Sequence, residues 1–180
     1  GLMPPLEASW RVLVVGGGTS LLPRMIVREH PSASVDVLER VGAVAELGRD
    51  HFDTGLHVGR TERSSVAVGN LDDLIEGLSG SYDLVVVDGA ALEPLGGAEG
   101  LSRRAKTALR QRVSAGGLLV WRSDFDLVTE AVEGWSTRTL TRTREGGREE
   151  VLLVTGPDAA LPSTDLIEGF LVLNGRAAIK

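Results

Sequence analysis

The sequence contains no cysteine, which excludes disulfides, zinc-thiolate sites, iron–sulfur clusters and a thiol nucleophile. Its three histidines, His30, His51 and His57, match no established ligand spacing, so no metal site is expected. Aromatic residues make up only 4%, with three Trp, three Phe and one Tyr. A stacking platform for single-stranded nucleic acid is therefore not evident. Long apolar runs are missing too. Stretches such as Val12–Val15 and Leu84–Val87 fall far short of the roughly 20 residues that cross a bilayer, so no membrane partner is expected. The 19 basic residues are outnumbered by 25 acidic ones, a net charge of −6, and phosphate neutralisation needs the opposite balance. Gly1 to Trp10 holds no basic region followed by an apolar stretch, so nothing there reads as a secretion signal. A cytoplasmic location is the expectation.

What is present is a chain of 180 residues, 42% apolar and 24% charged, the size and balance of one globular domain. Short runs rich in β-branched residues alternate with helical patterns, which is how repeated βαβ units with a parallel sheet read. Strands are expected at Arg11–Val15, Val35–Glu39, Ser65–Val68, Asp83–Asp88 and Leu118–Arg122. Helices are expected at Leu21–Glu29, Ala43–Phe52 and Leu71–Leu78. A further amphipathic helix spans Leu101–Ala115, with Leu101, Ala105, Leu109 and Val113 as its apolar stripe. Gly116–Gly117 reads as its stop signal, and Arg103, Arg104, Lys106, Arg110 and Arg112 as its solvated back. Asp126–Trp135 reads as another helix. Thr137–Arg144 and Glu149–Thr155 follow as a hairpin around the turn Glu145-Gly146-Gly147. The fold class is α/β, a Rossmann-like three-layer sandwich whose seven-stranded, mainly parallel sheet ends in a C-terminal antiparallel hairpin. Residues 1–9 read as a tail, 10–156 as the domain, and 157–180 as an extension packed on that domain or on a partner. A homodimer is compatible with the latter.

Chemistry concentrates at the ends of the strands. Gly16-Gly17-Gly18 follows the first strand and precedes the first helix, where a backbone without Cβ lets a ligand approach and the helix start offers free N–H groups. The GxGxxG pattern is incomplete, because Leu21 stands at the third glycine position. Glu39 ends the second strand about 21 residues past Gly18, where an acid can accept ribose hydroxyls. Asn70, after Gly69 at the end of the third strand, is placed to bond an adenine amino group. Asp88 ends the fourth strand and faces the crevice where open α/β sheets bind ligands. Each feature alone has an ordinary structural explanation. Their placement at the ends of successive strands points to a nucleoside-type pocket. No Gly-x-Ser-x-Gly elbow and no P-loop lysine are present, which disfavours a hydrolase and excludes a P-loop nucleotide site.

Over about Trp10 to Ser123 the sequence resembles the class I S-adenosylmethionine-dependent methyltransferase fold, and within it the spermidine synthase (polyamine aminopropyltransferase) family. The residues that carry the resemblance are Val12-Leu13-Val14-Val15-Gly16-Gly17-Gly18, Val37-Leu38-Glu39, Val68-Gly69-Asn70 and Tyr82-Asp83-Leu84-Val85-Val86-Val87-Asp88. Pro94 and Gly96-Gly97-Ala98-Glu99, before the helix that ends at Gly116–Gly117, look like the family's proline and Gly-Pro-Ala stretch. The resemblance implies that Glu39 binds the ribose, Asn70 and Leu71 the adenine, and Gly16 to Gly18 the sulfonium side of S-adenosylmethionine or its decarboxylated form. The chain departs from the family at Thr19, at Asn70 and at Ala91, each of which stands where the family has an aspartate. Ala91 replaces the amine-activating one and cannot accept a proton. Glu93 is the nearest acid that could take its place, and Asp88 and Glu93 are the candidate catalytic residues. The expected function is an S-adenosylmethionine-dependent transferase, a methyltransferase, acting on a small molecule. The alternative is a catalytically degenerate relative that serves as a binding or assembly module.

Overall fold

The computed structural model describes residues 9–16, 21–52, 59–60, 63–88, 100–123, 135–143 and 149–157. Strands β1 (Arg11–Val15), β2 (Ser34–Glu39), β3 (Gly59–Arg60), β4 (Ser64–Val68), β5 (Tyr82–Asp88), β6 (Val113–Ser123), β7 (Trp135–Thr143) and β8 (Glu149–Pro157) form one sheet in the order β3-β4-β2-β1-β5-β6-β8-β7. Its core is five parallel strands, β4-β2-β1-β5-β6. Such strands are covered on both faces, which explains why they read as continuous Val and Leu runs rather than alternating ones. Val12, Leu13, Val14 and Val15 are accordingly at most 2% exposed. At the edges, β3 lies antiparallel to β4, β8 antiparallel to β6 and β7 antiparallel to β8. The described sheet has eight strands, the two residues Gly59–Arg60 pairing with Val66 and Ser65 along the otherwise open side of β4.

Helices α1 (Leu21–Glu29), α2 (Gly42–Phe52), α3 (Leu71–Glu76) and α4 (Arg103–Gln111) fill the two outer layers. Ile26 of α1 and Ala45 of α2 pack with Val12, Val14, Val35, Val37 and Val86 on one face of the sheet. On the other face Leu71 and Ile75 of α3 and Ala105 and Leu109 of α4 pack with Leu13, Val15, Val85 and Val87. Pro23 sits in the first turn of α1, whose N–H groups have no intrahelical partner. Asn70 caps α3 and Ser102 caps α4, Ser102 Oγ accepting the Ala105 N–H at 3.1 Å.

The sheet face under α3 and α4 also carries a polar brace. Tyr82 Oη donates to Asp36 Oδ2 at 2.9 Å, Ser65 Oγ donates to Asp36 Oδ1, and Arg11 Nη2 lies 3.0 Å from Asp36 Oδ2. The Arg11 guanidinium also sits 4.6 Å from the centre of the Tyr82 ring. Burial first, then the Asp36 charge and the hydrogen bond to it, hold the Tyr82 phenol well above its ordinary range.

Two expectations are corrected. The helix expected over Leu101–Ala115 ends at Gln111, and Val113 already stands opposite Tyr82 in β6. Gly116–Gly117 is therefore no helix stop. It lies where the β5–β6 register jumps between Tyr82 and Leu84. A Cβ on Gly117 would meet the Tyr82 and Asp83 carbonyl oxygens at 2.9 and 3.0 Å, so only glycine fits that crossing. Residues 126–134 of the other expected helix lie outside the described residues, and Trp135 begins β7. The turn Glu145-Gly146-Gly147 and residues 158–180 lie outside them as well. No described helix is long and apolar enough to cross a membrane.

Candidate functional site

The register of the parallel strands places the expected residues along one edge of the sheet. Val15 stands opposite both Leu38 and Val87, and Glu39 stands opposite Val68. The next residues, Gly16, Glu39, Gly69 and Asp88, therefore share the C-terminal edge of β1, β2, β4 and β5. With neighbouring strands about 4.8 Å apart, Glu39 and Asp88 are separated by roughly 10 Å and the row from Gly69 to Asp88 spans roughly 14 Å. That is the reach of a nucleoside with a short side chain. From β1 the chain moves out through β2 to β4, then crosses back to β5 on the other side. The edge beside β1 and β5 is thus the topological switch point, where open α/β sheets leave a crevice.

Backbone contacts hold this edge together. Gly16 has φ 77°, a conformation that side chains rarely adopt, and its N–H donates to the Leu38 carbonyl at 2.8 Å. The Gly69 N–H donates to the Glu39 carbonyl at 3.0 Å. The Glu39 side chain is 4% exposed and its Oε1 accepts the Val41 N–H at 2.9 Å. Asp88 is half-buried and stands opposite Arg122 of β6. Glu39 and Asp88 thus put two acidic side chains on one edge of the sheet, with Arg122 next to Asp88.

Asn70 has a second duty that the sequence reading did not assign. Its Oδ1 accepts the Asp72 and Asp73 N–H groups at 2.9 and 3.3 Å, capping α3. The oxygen expected to meet an adenine amino group is thus already engaged by the helix start. Leu71 buries its side chain in the core, 6% exposed, so a ligand meets only its backbone. Gly17, Gly18, Thr19, Ala91 and Glu93 lie outside the described residues. Among the described residues no group of three His, Cys, Asp or Glu side chains could hold a metal. His30 is buried, its ring edge-on to Trp10 at 5.1 Å.

Two residues at this edge have no role in the sequence reading, where Val68 stands only within the motif Val68-Gly69-Asn70. Val41 and Val68 are 39% and 36% exposed, beside Glu39 in the chain and across the ladder respectively. Exposed branched side chains flanking a buried acid give a flat ring something to rest on. The signal was available in the positions next to Glu39 and Gly69, but apolar residues at strand ends look like core.

No protein-family model matches the sequence. Solved structures do match. Human methyltransferase-like protein 13, in complex with SAH, superposes with a TM-score of 0.63 at 17% identity, covering 91% of this chain and 79% of that one. A spermidine synthase in complex with the transition state analogue AdoDATO gives 0.59 at 15% identity, over 89% of this chain and 57% of that one. A mutant of MtNAS in complex with S-adenosylmethionine gives 0.52 at 19% identity, over 83% and 56%. The chain has the fold these proteins share. It spans little more than half the length of the latter two.

Proposed function

We propose that the chain is an S-adenosylmethionine-dependent transferase of the spermidine synthase-like superfamily, and that it moves a methyl group to a small-molecule acceptor. The observation that carries this reading is the alignment of Gly16, Glu39, Gly69–Asn70 and Asp88 on one edge at the switch point. The shared fold supports it, since the matching structures hold SAH, AdoDATO or S-adenosylmethionine. In this reading the sheet is the seven-stranded, mainly parallel sheet with a C-terminal antiparallel hairpin, to which Gly59–Arg60 adds an edge.

The residues fit the cofactor in three respects. Glu39 accepts from the ribose, Val41 and Val68 flank the base, and the Leu71 N–H at the start of α3 meets its ring edge. The left-handed Gly16 turns the chain sharply after β1, so that backbone and not side chain faces the ligand. When bound, S-adenosylmethionine supplies an electrophilic methyl carbon. The protein's part is to hold an acceptor in line with that carbon, and positioning alone can supply most of such a rate. Asp88, half-buried at the same edge, orients the acceptor or takes its proton, and Glu93 is the second candidate for that proton.

The second reading is a degenerate binding or assembly module. Ala91 favours it, standing where the related aminopropyltransferases activate the amine. A thermal-unfolding scan separates the two. S-adenosylmethionine, S-adenosylhomocysteine, decarboxylated S-adenosylmethionine and methylthioadenosine are each added in large excess. A ligand at 100 times its Kd adds about 2.7 kcal/mol. A shift with the carboxylate-bearing pair supports the methyltransferase. A shift confined to the other pair points to aminopropyl transfer, and no shift with any leaves the module.

A further inference from the structure

Asn70 meets the ligand edge with one polarity only. Its Oδ1 accepts the Asp72 N–H at 2.9 Å and the Asp73 N–H at 3.3 Å. An amide oxygen has two lone pairs, so nothing is left on it for a third donor. The same bonds fix which end of the amide is which, since an amino group cannot answer two N–H groups. The Nδ2 amino group is therefore the open end. It donates to no described residue, and Asn70 is exposed two residues past Val68, which flanks the base. The backbone beside it has the same sign, because the Leu71 N–H comes next. Asp72 is turned away to α4, both its oxygens taking the Ser102 N–H, at 3.2 and 3.3 Å.

We propose that Asn70 opens this pocket to 6-oxopurine nucleosides, so that its ligand class includes the hypoxanthine counterparts of S-adenosylmethionine-type compounds. The inference rests on the nucleoside reading of the edge. Adenine presents an amino donor at position 6 beside the N7 acceptor, whereas a 6-oxopurine presents two acceptors, O6 and N7. Donors on the protein side match the second pattern at both places and the first at only one. An adenine amino group facing Asn70 Nδ2 leaves two donors opposed and unpaired, which is how a polar site rejects the wrong ligand. Adenine therefore binds through a ring nitrogen, and its amino group adds no selectivity. An aspartate at this position acts in the opposite sense. Its second carboxylate oxygen stays open once the cap is made, accepts the amino group and repels O6.

Titration calorimetry of the full chain with S-adenosylhomocysteine and S-inosylhomocysteine, which differ by that exchange of amino for oxo, tests this. Wild type is expected to bind the inosyl compound no more than about fivefold more weakly than the adenosyl one. Asn70→Asp, which retains the cap, is expected to shift the ratio by about tenfold or more toward S-adenosylhomocysteine with the melting temperature unchanged. Asp73→Asn, which removes the next acid in the chain, is expected to move the ratio less than about twofold. A larger wild-type preference for the adenosyl compound overturns the proposal. So does a ratio that Asn70→Asp leaves in place, or one that Asp73→Asn moves as far. Those outcomes all leave S-adenosylhomocysteine bound and the transferase reading standing. Wild type that binds neither compound overturns that reading, and this inference with it.

Discussion

One carboxylate oxygen of Glu39 accepts the backbone N–H of Val41 at 2.9 Å. The side chain that ends β2 is thus held by the chain two residues further on, buried but pointing along the sheet edge. Glu39→Ala is expected to weaken S-adenosylmethionine binding by about 1.5 to 3 kcal/mol, the range for hydrogen bonds to a charged group. Titration calorimetry checks it. An unchanged Kd would remove Glu39 from the pocket.

The capping role of Asn70 makes a separable prediction. Asn70→Ala removes the acceptor for two N–H groups of α3 and is expected to cost about 0.5 to 2 kcal/mol. Asn70→Asp keeps the cap and is expected to stay near wild-type stability. Chemical denaturation of the three proteins without ligand reads this directly. An Asn70→Ala variant as stable as wild type would show that the cap contributes nothing.

Tyr82 is the single tyrosine of the chain, so phenolate absorbance reports it alone. Its folded pKa is raised, by burial first and then by Asp36. A raised value gives stability that is complete below the unfolded pKa of about 10 and is lost as pH climbs above it, at about 1.4 kcal/mol per unit. Phenolate is therefore expected to appear only together with unfolding. Tyr82→Phe is expected to lose less stability than wild type between pH 10 and 11. Reversible phenolate formation in the folded protein near pH 10 would contradict the brace.

Two adjacent glycines test the crossing in β6. Gly117→Ala places a methyl group against two carbonyl oxygens and is expected to destabilise by about 1 to 3 kcal/mol, as overpacking does. Gly116→Ala meets nothing within 4 Å and is expected to be near neutral. Similar midpoints in urea for the two variants would rule this geometry out.

How much of this was legible beforehand follows the physics of each signal. Central parallel strands advertise themselves, since burial on both faces demands unbroken runs such as Val12–Val15 and Leu84–Val87. Their ends, Gly16, Glu39 and Asp88, were found because strand order fixes which edge they share. The C-terminus of α4 was misplaced for an equally physical reason. Val113 continues the four-residue stripe of Leu101, Ala105 and Leu109, so periodicity alone carries the helix on, whereas pairing with Tyr82 takes it into β6. Gly117 then looks like a stop signal although its need for space comes from β5, 34 residues earlier in the chain. The cap made by Asn70 was missed because one side chain can serve a helix and a ligand from the same position.

The account rests on the claim that S-adenosylmethionine-type ligands bind along the C-terminal edge of β4, β2, β1 and β5. Amide chemical-shift mapping with S-adenosylhomocysteine tests it residue by residue. The account predicts large shifts at Gly16, Glu39, Val41, Gly69 to Leu71 and Asp88, with little change along α4. Saturating ligand that leaves those amides unmoved, or moves α4 instead, would contradict it.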